Sequence, residues 1–381
     1  MALLPEKLRF WLFDTLSVQT MRYVHAVPRR KANGIVAEIY KMIDKDFFIN
    51  GSLTSRSKVP NLLAAIWSVG RETLLVDDRL DRTTKEAMTA TLSSINDCPY
   101  CGDMLVSLVH AADQHDDASN ILSETEEQIT DPVLKERLLW VRAVATPGAT
   151  PPKAIPFTAD QIPEVIGSLM ALSDINRFSH VVMNGSPVKV PPGMQYIKSA
   201  LLRLFGSELR ATHIRSLEPG RTLHLLTEAT LPQDMQWAKG NARIAQAVAQ
   251  CAAAVEKEAK GIVPDVVQYL VHENLNHWQG EVMPMSRSWL EKEVLDLQGN
   301  ERAIAKLALA LAKASYQLDD KIIGDVLRFN QGEEQFIRIL AWSSFTAARH
   351  VANRISKHSR KLIELQSQVT PGTIGSIKVA A

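Results

Sequence analysis

Residues 83–112 read TTKEAMTATLSSINDCPYCGDMLVSLVHAA, and this stretch decides which fold to expect. Its first half has the spacing of a helix, with Ala87, Met88 and Leu92 as the apolar members. A proline follows the first cysteine, and proline is tolerated at the first position of a helix because its missing N–H would be unpaired there. The stretch therefore predicts two helices joined by a turn, with the Cys-Pro-Tyr-Cys motif of residues 98–101 at the start of the second.

The rest of the chain continues the helical pattern. Apolar residues recur three or four positions apart in many segments, as in Ile35, Ile39 and Ile43. Alternating runs bounded by turn residues, which are typical of strands, are scarce, and the best of them, Val-Lys-Val at 188–190, is too short to build a sheet. We therefore predict an all-α fold.

Proline-rich segments interrupt the helices in two places, at residues 145–161 and 183–195. The second segment holds three prolines and two glycines and lies at the middle of the chain, so we interpret it as a linker. The prediction is two helical domains, 1–190 and 191–381.

The two halves resemble each other in sequence. Residues 157–177 align without gaps on residues 329–349, and the segment that begins at Asn61 aligns with the segment that begins at Asn241. The two matches keep their order along the chain, which predicts a tandem duplication. When the cysteine motif is moved by the 180 residues that separate Asn61 from Asn241, it falls on other residue types. The second half is therefore predicted to be a degenerate copy without the cysteines.

Charge and hydropathy exclude several classes of function. Forty-three basic and 42 acidic residues leave a formal net charge of +1, so there is no electrostatic case for binding nucleic acid or an anionic membrane. No segment approaches the roughly 20 apolar residues of a bilayer span. Glu6, Lys7, Arg9 and Asp14 interrupt the apolar start, which argues against a secretory signal. We expect a cytoplasmic protein.

Three chemical roles are open to the cysteine pair. A zinc site would need two further ligands, and Cys251 stands alone while His272 and His277 lie in the other half. The cysteines can also be small apolar core residues. Alternatively, unpaired N–H groups and aligned peptide dipoles at a helix start favour a thiolate and lower its pKa, and two thiols three positions apart can close a disulfide.

The motif and its surroundings resemble a known family. Cys-Pro-Tyr-Cys is also the glutaredoxin motif, but that fold needs a strand before it, and the preceding residues here are helical in pattern. The sequence resembles instead the AhpD-like alkylhydroperoxidases of the carboxymuconolactone decarboxylase superfamily. The resemblance lies in the spacing, because eleven residues separate Glu86 from Cys98-x-x-Cys101, and in the position of the motif between two helices. Asn176-Arg177 is similar to the Asn-Arg pair that ends a later helix of that family.

The resemblance implies an all-helical oxidoreductase that reduces peroxides. By position, Cys101 would attack the peroxide, Cys98 would resolve the sulfenic acid as a disulfide, and Glu86 would be the acid/base. Tyr100, between the cysteines, would support the site by donating a hydrogen bond, with packing as its alternative role.

One position departs from the family pattern. Four residues after Cys101 the family has a histidine, whereas this chain has Leu105. His110 comes nine residues after Cys101, which puts it half a turn away on the opposite face of the helix. Three functions therefore stay open: a peroxidase or disulfide reductase that works through Glu86, decarboxylase-like chemistry in the same pocket, or a non-enzymatic, redox-responsive helical module that serves oligomerisation.

The resemblance also implies partners. Family members oligomerise through helical faces, so a homodimer or homotrimer is expected. The expected substrate is a peroxide, and the expected electron donor is a lipoyl domain or a thioredoxin-like protein. We expect no metal and no cofactor, because the sequence shows no nucleotide, flavin or haem motif.

Overall fold

The computed structural model describes residue 15 and residues 20–191 and 193–369. Residues 1–14, whose charges argue against a secretory signal, lie outside the described residues. Within the described ranges all regular structure is helical, apart from one isolated antiparallel bridge between Met21 and Met183. The prediction of an all-α fold is confirmed. None of the helices in these ranges combines the length and the apolar character that a bilayer span requires.

The α-helices follow one another through the whole of the described chain. They are α1 (Gly34–Asp46), α2 (Gly51–Thr54), α3 (Pro60–Gly70), α4 (Arg82–Ile95), α5 (Pro99–Ala111), α6 (His115–Leu122), α7 (Pro132–Ala145), α8 (Ile162–Val182), α9 (Gln195–His213), α10 (Ala242–Ala259), α11 (Asp265–His277), α12 (Ser288–Glu293), α13 (Gly299–Lys313), α14 (Asp320–Phe329) and α15 (Glu333–Val369). A turn of π-helix, Arg71–Leu75, continues α3.

Helix α8 lies at the centre of the fold. Almost every residue between Pro163 and Val182 is buried, because α15, α4 and the π-turn pack around it on different sides. Its sequence has few charged residues, so no face of the helix is suited to water. The helix thus forms a wall that both halves of the chain share.

The helices that align in sequence pack against each other. Helix α8 contacts α15, and α3 contacts α10. Asn61, at the start of α3, donates to Glu258 at 2.8 Å, and Asn241, the N-cap of α10, donates to Asp78 at 2.8 Å. The alignment pairs Asn61 with Asn241 and, with the same shift, Asp78 with Glu258, so the two contacts are the same contact with the partners exchanged. Such reciprocity is what a two-fold relation between two units produces.

Helix α9 follows the proline-rich segment of residues 183–195 and returns to the cysteine-bearing helix α5. It packs along α5 and approaches it most closely at Gly206, where an added Cβ would overlap the carbonyl oxygen of Ser107. A segment from beyond residue 190 therefore covers one face of α5.

Candidate active site

The turn between α4 and α5 sets the position of the first cysteine. The Cys98 N–H donates to the Ser93 carbonyl at 2.9 Å, and the Asp97 N–H donates to the Ser94 carbonyl at 3.0 Å. Asp97 has a φ of 50°, so the pattern is a Schellman end of α4 with its left-handed residue at Asp97. Cys98 then becomes the N-cap of α5, with Pro99 at its first position. The helix start predicted at the proline is confirmed.

The two sulfur atoms of the motif lie 2.8 Å apart, and both thiols are free. Both residues are buried, with exposed fractions of 2% for Cys98 and 4% for Cys101. Burial raises the pKa of Cys98 well above its ordinary value, and the hydrogen bond to Cys101 and the charge of that neighbour raise it further. Cys98 therefore keeps its proton at neutral pH and donates it towards the Cys101 sulfur.

Cys101 lines an apolar cavity of about 60 Å³, counted as the space open to the centres of water-sized molecules. That space is enough for a few water molecules or a small reactive group. The wall includes Phe47, Phe48 and Trp67, and Leu105, which stands at the place of the family's histidine, is part of it as well. Among the described residues, the side chains that surround the cavity at Cys101 are thus mostly apolar.

Tyr100 separates this cavity from a second pocket on the Cys98 side. Its side chain is buried and lines both spaces. The hydroxyl accepts the N–H of Gly51, the first residue of α2, at 3.0 Å. Tyr100 therefore joins α5 to the segment that forms one wall of the cavity.

Glu86 is fully buried in α4, and each of its carboxylate oxygens has a charged or titratable partner. Oε1 accepts from Arg82 Nε at 2.7 Å, and Oε2 accepts from His213 Nε2 at 2.7 Å. Burial alone would raise the pKa of Glu86, but Arg82 and His213 together outweigh it, so the pKa is lowered. Glu86 is therefore ionised at neutral pH. It does not line the cavity that holds Cys101.

Sequence reasoning missed His213. This residue ends α9, its side chain is buried, and 127 positions separate it from Glu86. No local pattern points across such a distance. The one available signal was the absence of a histidine at position 105, which left the acid of the motif without its expected partner.

His110 takes no part in this arrangement. Its Nδ1 lies 3.2 Å from Nδ1 of His115, and the residue is buried where α9 passes over α5. Burial lowers the pKa of His110 to about 4, with the neighbouring His115 contributing, so the ring is neutral at pH 7.

A buried ion pair lies close to the cysteine. Arg56 Nη2 and Asp174 Oδ2 are 3.0 Å apart, and the guanidinium carbon is 3.6 Å from the centre of the Phe178 ring. Burial lowers the pKa of Arg56, and Asp174, Cys251 and Cys101, in that order, oppose the shift. The positive charge of Arg56 is therefore within electrostatic reach of the Cys101 sulfur.

The Asn-Arg pair of α8 connects helices. Asn176 Oδ1 accepts from the Ser93 hydroxyl in α4 at 3.1 Å, and Arg177 Nη2 donates to the carbonyl of Ala312 in α13 at 3.5 Å. These contacts tie α8 to both sides of the fold.

Within the described residues, no cluster of three or more His, Cys, Asp and Glu side chains is arranged to hold a metal ion.

Comparison with known proteins adds one finding to this geometry. The chain is 29% identical over 349 residues to alkyl hydroperoxide reductase Rv2159c of Mycobacterium tuberculosis (strain ATCC 25618 / H37Rv), and the match covers 91% of this chain and 98% of that protein. No family model matches the chain, and no solved structure does. The match spans both halves of the chain. Over most of its length, the chain is therefore similar to a protein that is named as an alkyl hydroperoxide reductase.

Proposed function

We propose that the protein is a thiol-dependent peroxidase that reduces organic hydroperoxides through Cys98 and Cys101. The observation that carries this proposal is the geometry of the thiols, which lie 2.8 Å apart at the start of a helix, with Cys101 on an apolar cavity. The mycobacterial relative bears the name of an alkyl hydroperoxide reductase, which supports the same reaction class.

The proposed reaction has two steps on the protein. The Cys101 thiolate attacks the terminal oxygen of the hydroperoxide, so that an S–O bond forms, the O–O bond breaks and the alcohol leaves with a proton. Cys98 then attacks the sulfenic acid of Cys101, a disulfide forms and water leaves. Two electrons pass from the thiols to the peroxide, and a dithiol donor returns them.

Three features favour Cys101 over Cys98 as the attacking residue. The pKa of Cys98 is raised by burial, so Cys98 is the thiol that remains protonated. Cys101 lies in the first turn of α5, where unpaired N–H groups favour a negative charge. The charge of Arg56 acts in the same direction.

We propose that Glu86 and His213 handle the protons of the reaction as a pair. The imidazole of His213 lies 2.7 Å from the ionised carboxylate, which is within reach for the transfer of a proton between the two groups. Because the pair lies outside the wall of the cavity, a proton would reach Cys101 through an intervening water molecule. In this proposal, His213 replaces the family histidine whose place is taken by Leu105.

The surroundings support further parts of the proposal. Apolar walls favour a hydroperoxide with an apolar alkyl group over a charged one. A lipoyl domain or a thioredoxin-like protein in a reducing cytoplasm would be the electron donor. The second half would act as a built-in partner for the first, and we propose that the chains assemble further as a homodimer or homotrimer.

Titration of the reduced protein with tert-butyl hydroperoxide tests the function. We expect one Cys98–Cys101 disulfide per peroxide, identified by thiol counting and mass mapping, and turnover when dithiothreitol is added. Cys101→Ser abolishes turnover, whereas the matched control Cys251→Ala retains it. If both thiols stay free under excess peroxide, or Cys101→Ser keeps full turnover, the proposal is wrong.

A further inference from the structure

Trp67 lines the apolar cavity at Cys101 and carries a polar atom that has no partner. Its side chain is buried, with an exposed fraction of 1%, and its indole N–H makes no hydrogen bond within the part of the chain that the structure describes. A buried donor without an acceptor destabilises the folded state, so such groups are rare in native proteins. An oxygen atom of a molecule in the cavity would supply the missing acceptor.

Helix α3 brings Trp67 to the cavity. Trp67, Gly70 and Leu74 follow one another at spacings of three and four and line the cavity together, so one face of α3 and of the π-turn that continues it forms this wall. Gly70 has no side chain, and a Cβ there would meet no atom within 4 Å. Open space therefore lies on this face of the helix, close to the indole.

The other polar side chains that line the cavity have partners. Asn50 Oδ1 accepts from the Ser52 hydroxyl at 2.5 Å, and Asn50 Nδ2 donates to a nearby backbone carbonyl at 3.1 Å. The Tyr100 hydroxyl accepts the N–H of Gly51. Among the described residues, Trp67 is thus the side chain of this wall whose buried polar atom is left without a hydrogen bond.

The reaction of a hydroperoxide at Cys101 creates a negative charge on an oxygen atom. As the thiolate attacks the terminal oxygen, the S–O bond forms and the O–O bond breaks, so the inner oxygen departs as an alkoxide. Apolar walls cannot stabilise such a charge. A hydrogen-bond donor that is already fixed in a water-poor site can, because it does not have to reorient during the reaction.

We propose that the indole N–H of Trp67 donates a hydrogen bond to the departing oxygen of the hydroperoxide, which makes Trp67 a catalytic residue. This inference rests on the proposed peroxidase function. The indole keeps its proton, because its N–H acts only as a donor. The alkoxide takes a proton from the water molecule that links the site to Glu86 and His213, and it leaves as the alcohol. The same hydrogen bond orients the hydroperoxide, with its terminal oxygen towards Cys101.

Two tryptophan variants of the full-length protein test this role. Trp67→Phe keeps an aromatic ring in the cavity wall and removes the N–H. Trp140→Phe is the matched control, because the indole N–H of Trp140 in α7 is also buried without a partner, and this residue does not line the cavity. Disulfide formation with tert-butyl hydroperoxide is followed by thiol counting. We expect Trp67→Phe to slow it by at least about tenfold and Trp140→Phe to leave it unchanged.

Two further reagents show whether the effect lies on the departing oxygen. Peracetic acid releases a carboxylate, whose charge is shared by two oxygens, so Trp67→Phe should lose less rate with peracetic acid than with tert-butyl hydroperoxide. Iodoacetamide alkylates Cys101 without breaking an O–O bond, and mass mapping should show equal rates in Trp67→Phe and the wild type. If the loss with tert-butyl hydroperoxide is smaller than expected, or if all three reagents are slowed equally, the inference is overturned.

A binding measurement on the wild-type protein does not depend on the variants. tert-Butyl alcohol carries the oxygen that departs in the reaction, and it does not oxidise thiols. In isotope-labelled protein with its indole resonances assigned by triple-resonance spectroscopy, we expect the alcohol to shift the N–H signal of Trp67 and to leave that of Trp140 unchanged. An unchanged Trp67 signal at saturating alcohol would contradict the hydrogen bond.

The two proposals can fail separately. If the wild-type protein forms no disulfide with peroxide, the proposed function is wrong, whereas the alcohol titration still decides whether the indole of Trp67 binds an oxygen atom in the cavity. If the wild type forms the disulfide and Trp67→Phe does so at the same rate, the peroxidase function stands and the role of Trp67 is refuted.

Discussion

The contact between Glu86 and His213 is the part of the site that can be tested most sharply. His213→Ala removes one of the two donors on a buried carboxylate and leaves the bond from Arg82. A hydrogen bond to a charged group is worth about 1.5–3 kcal/mol. We therefore expect His213→Ala to lower the free energy of unfolding by at least this amount, with lost packing of the ring adding to it.

A double-mutant cycle isolates the contact from the packing loss. The variants are His213→Ala, Glu86→Gln and the two combined, and the free energy of unfolding of each is measured by urea denaturation at pH 7. Because the groups are in direct contact, we expect a coupling energy of about 1.5–3 kcal/mol. A coupling energy below about 0.5 kcal/mol would show that the contact does not stabilise the protein, and the reasoning would fail.

The same variants distinguish a structural histidine from one that moves protons. His213→Gln keeps a donor near Glu86 but cannot be protonated. If His213 relays protons, this variant regains much of the stability lost in His213→Ala, while disulfide formation with peroxide stays slow and its pH profile loses one ionisation. If the rate and the profile of His213→Gln equal those of the wild type, His213 has no part in proton transfer.

Three further perturbations test the surroundings of the site. Lys85 and Glu164 form a fully buried ion pair at 2.8 Å. We therefore expect Lys85→Met to lower the free energy of unfolding by about 3–5 kcal/mol in urea denaturation, and the addition of Glu164→Gln to recover part of that loss. A loss below about 1 kcal/mol would contradict this expectation. Gly206→Ala should lower the stability by about 1–3 kcal/mol in the same assay, because the added methyl group overlaps a backbone carbonyl of α5, and an unchanged midpoint would refute the close crossing. Because the pKa of Glu86 is lowered in the folded protein, the unfolded chain binds the proton first as the pH falls. The contribution of ionised Glu86 to the free energy of unfolding is therefore complete above the ordinary pKa of 4.5 and is lost below it. Denaturation at a series of pH values should show a smaller loss of stability on the acid side for Glu86→Gln than for the wild type.

The local structure of the site could be predicted because its signals are local. Pro99 marked the start of α5, and the structure has Cys98 as the N-cap. Ile39 and Ile43 of α1 are buried, as the spacing predicted. In these places the residues that decide the conformation lie within one or two turns of each other, so the sequence contains the whole argument.

Burial in α3 shows where periodicity is insufficient. Leu62, Ile66 and Val69 lie three or four positions apart, as the residues of one apolar face do, and they are buried. Ala64 and Trp67 lie outside that face and are buried as well. The reason is that α8 and α10 cover other faces of the helix. A spacing of three and four identifies one apolar face, whereas complete burial depends on helices that arrive from far along the chain.

The partner of Glu86 could not be predicted for the same reason. Local sequence identifies the acid by its spacing from the cysteines, but His213 reaches it only because α9 crosses back over α5 after the proline-rich segment. The approach depends on the small residue at Gly206, and nothing in the motif itself indicates which distant helix will be the neighbour.

The crossing of α9 over α5 also has a consequence for the order of events during synthesis. The ribosome releases Cys98 and Cys101 more than 100 residues before His213, the last residue of α9. At usual translation speeds this interval lasts on the order of 5–20 s. Throughout that time α5 lacks its cover, so the nascent chain presents two closely spaced thiols and an apolar helix face. Newly made protein is therefore open to oxidants and chaperones at a segment that the finished protein buries.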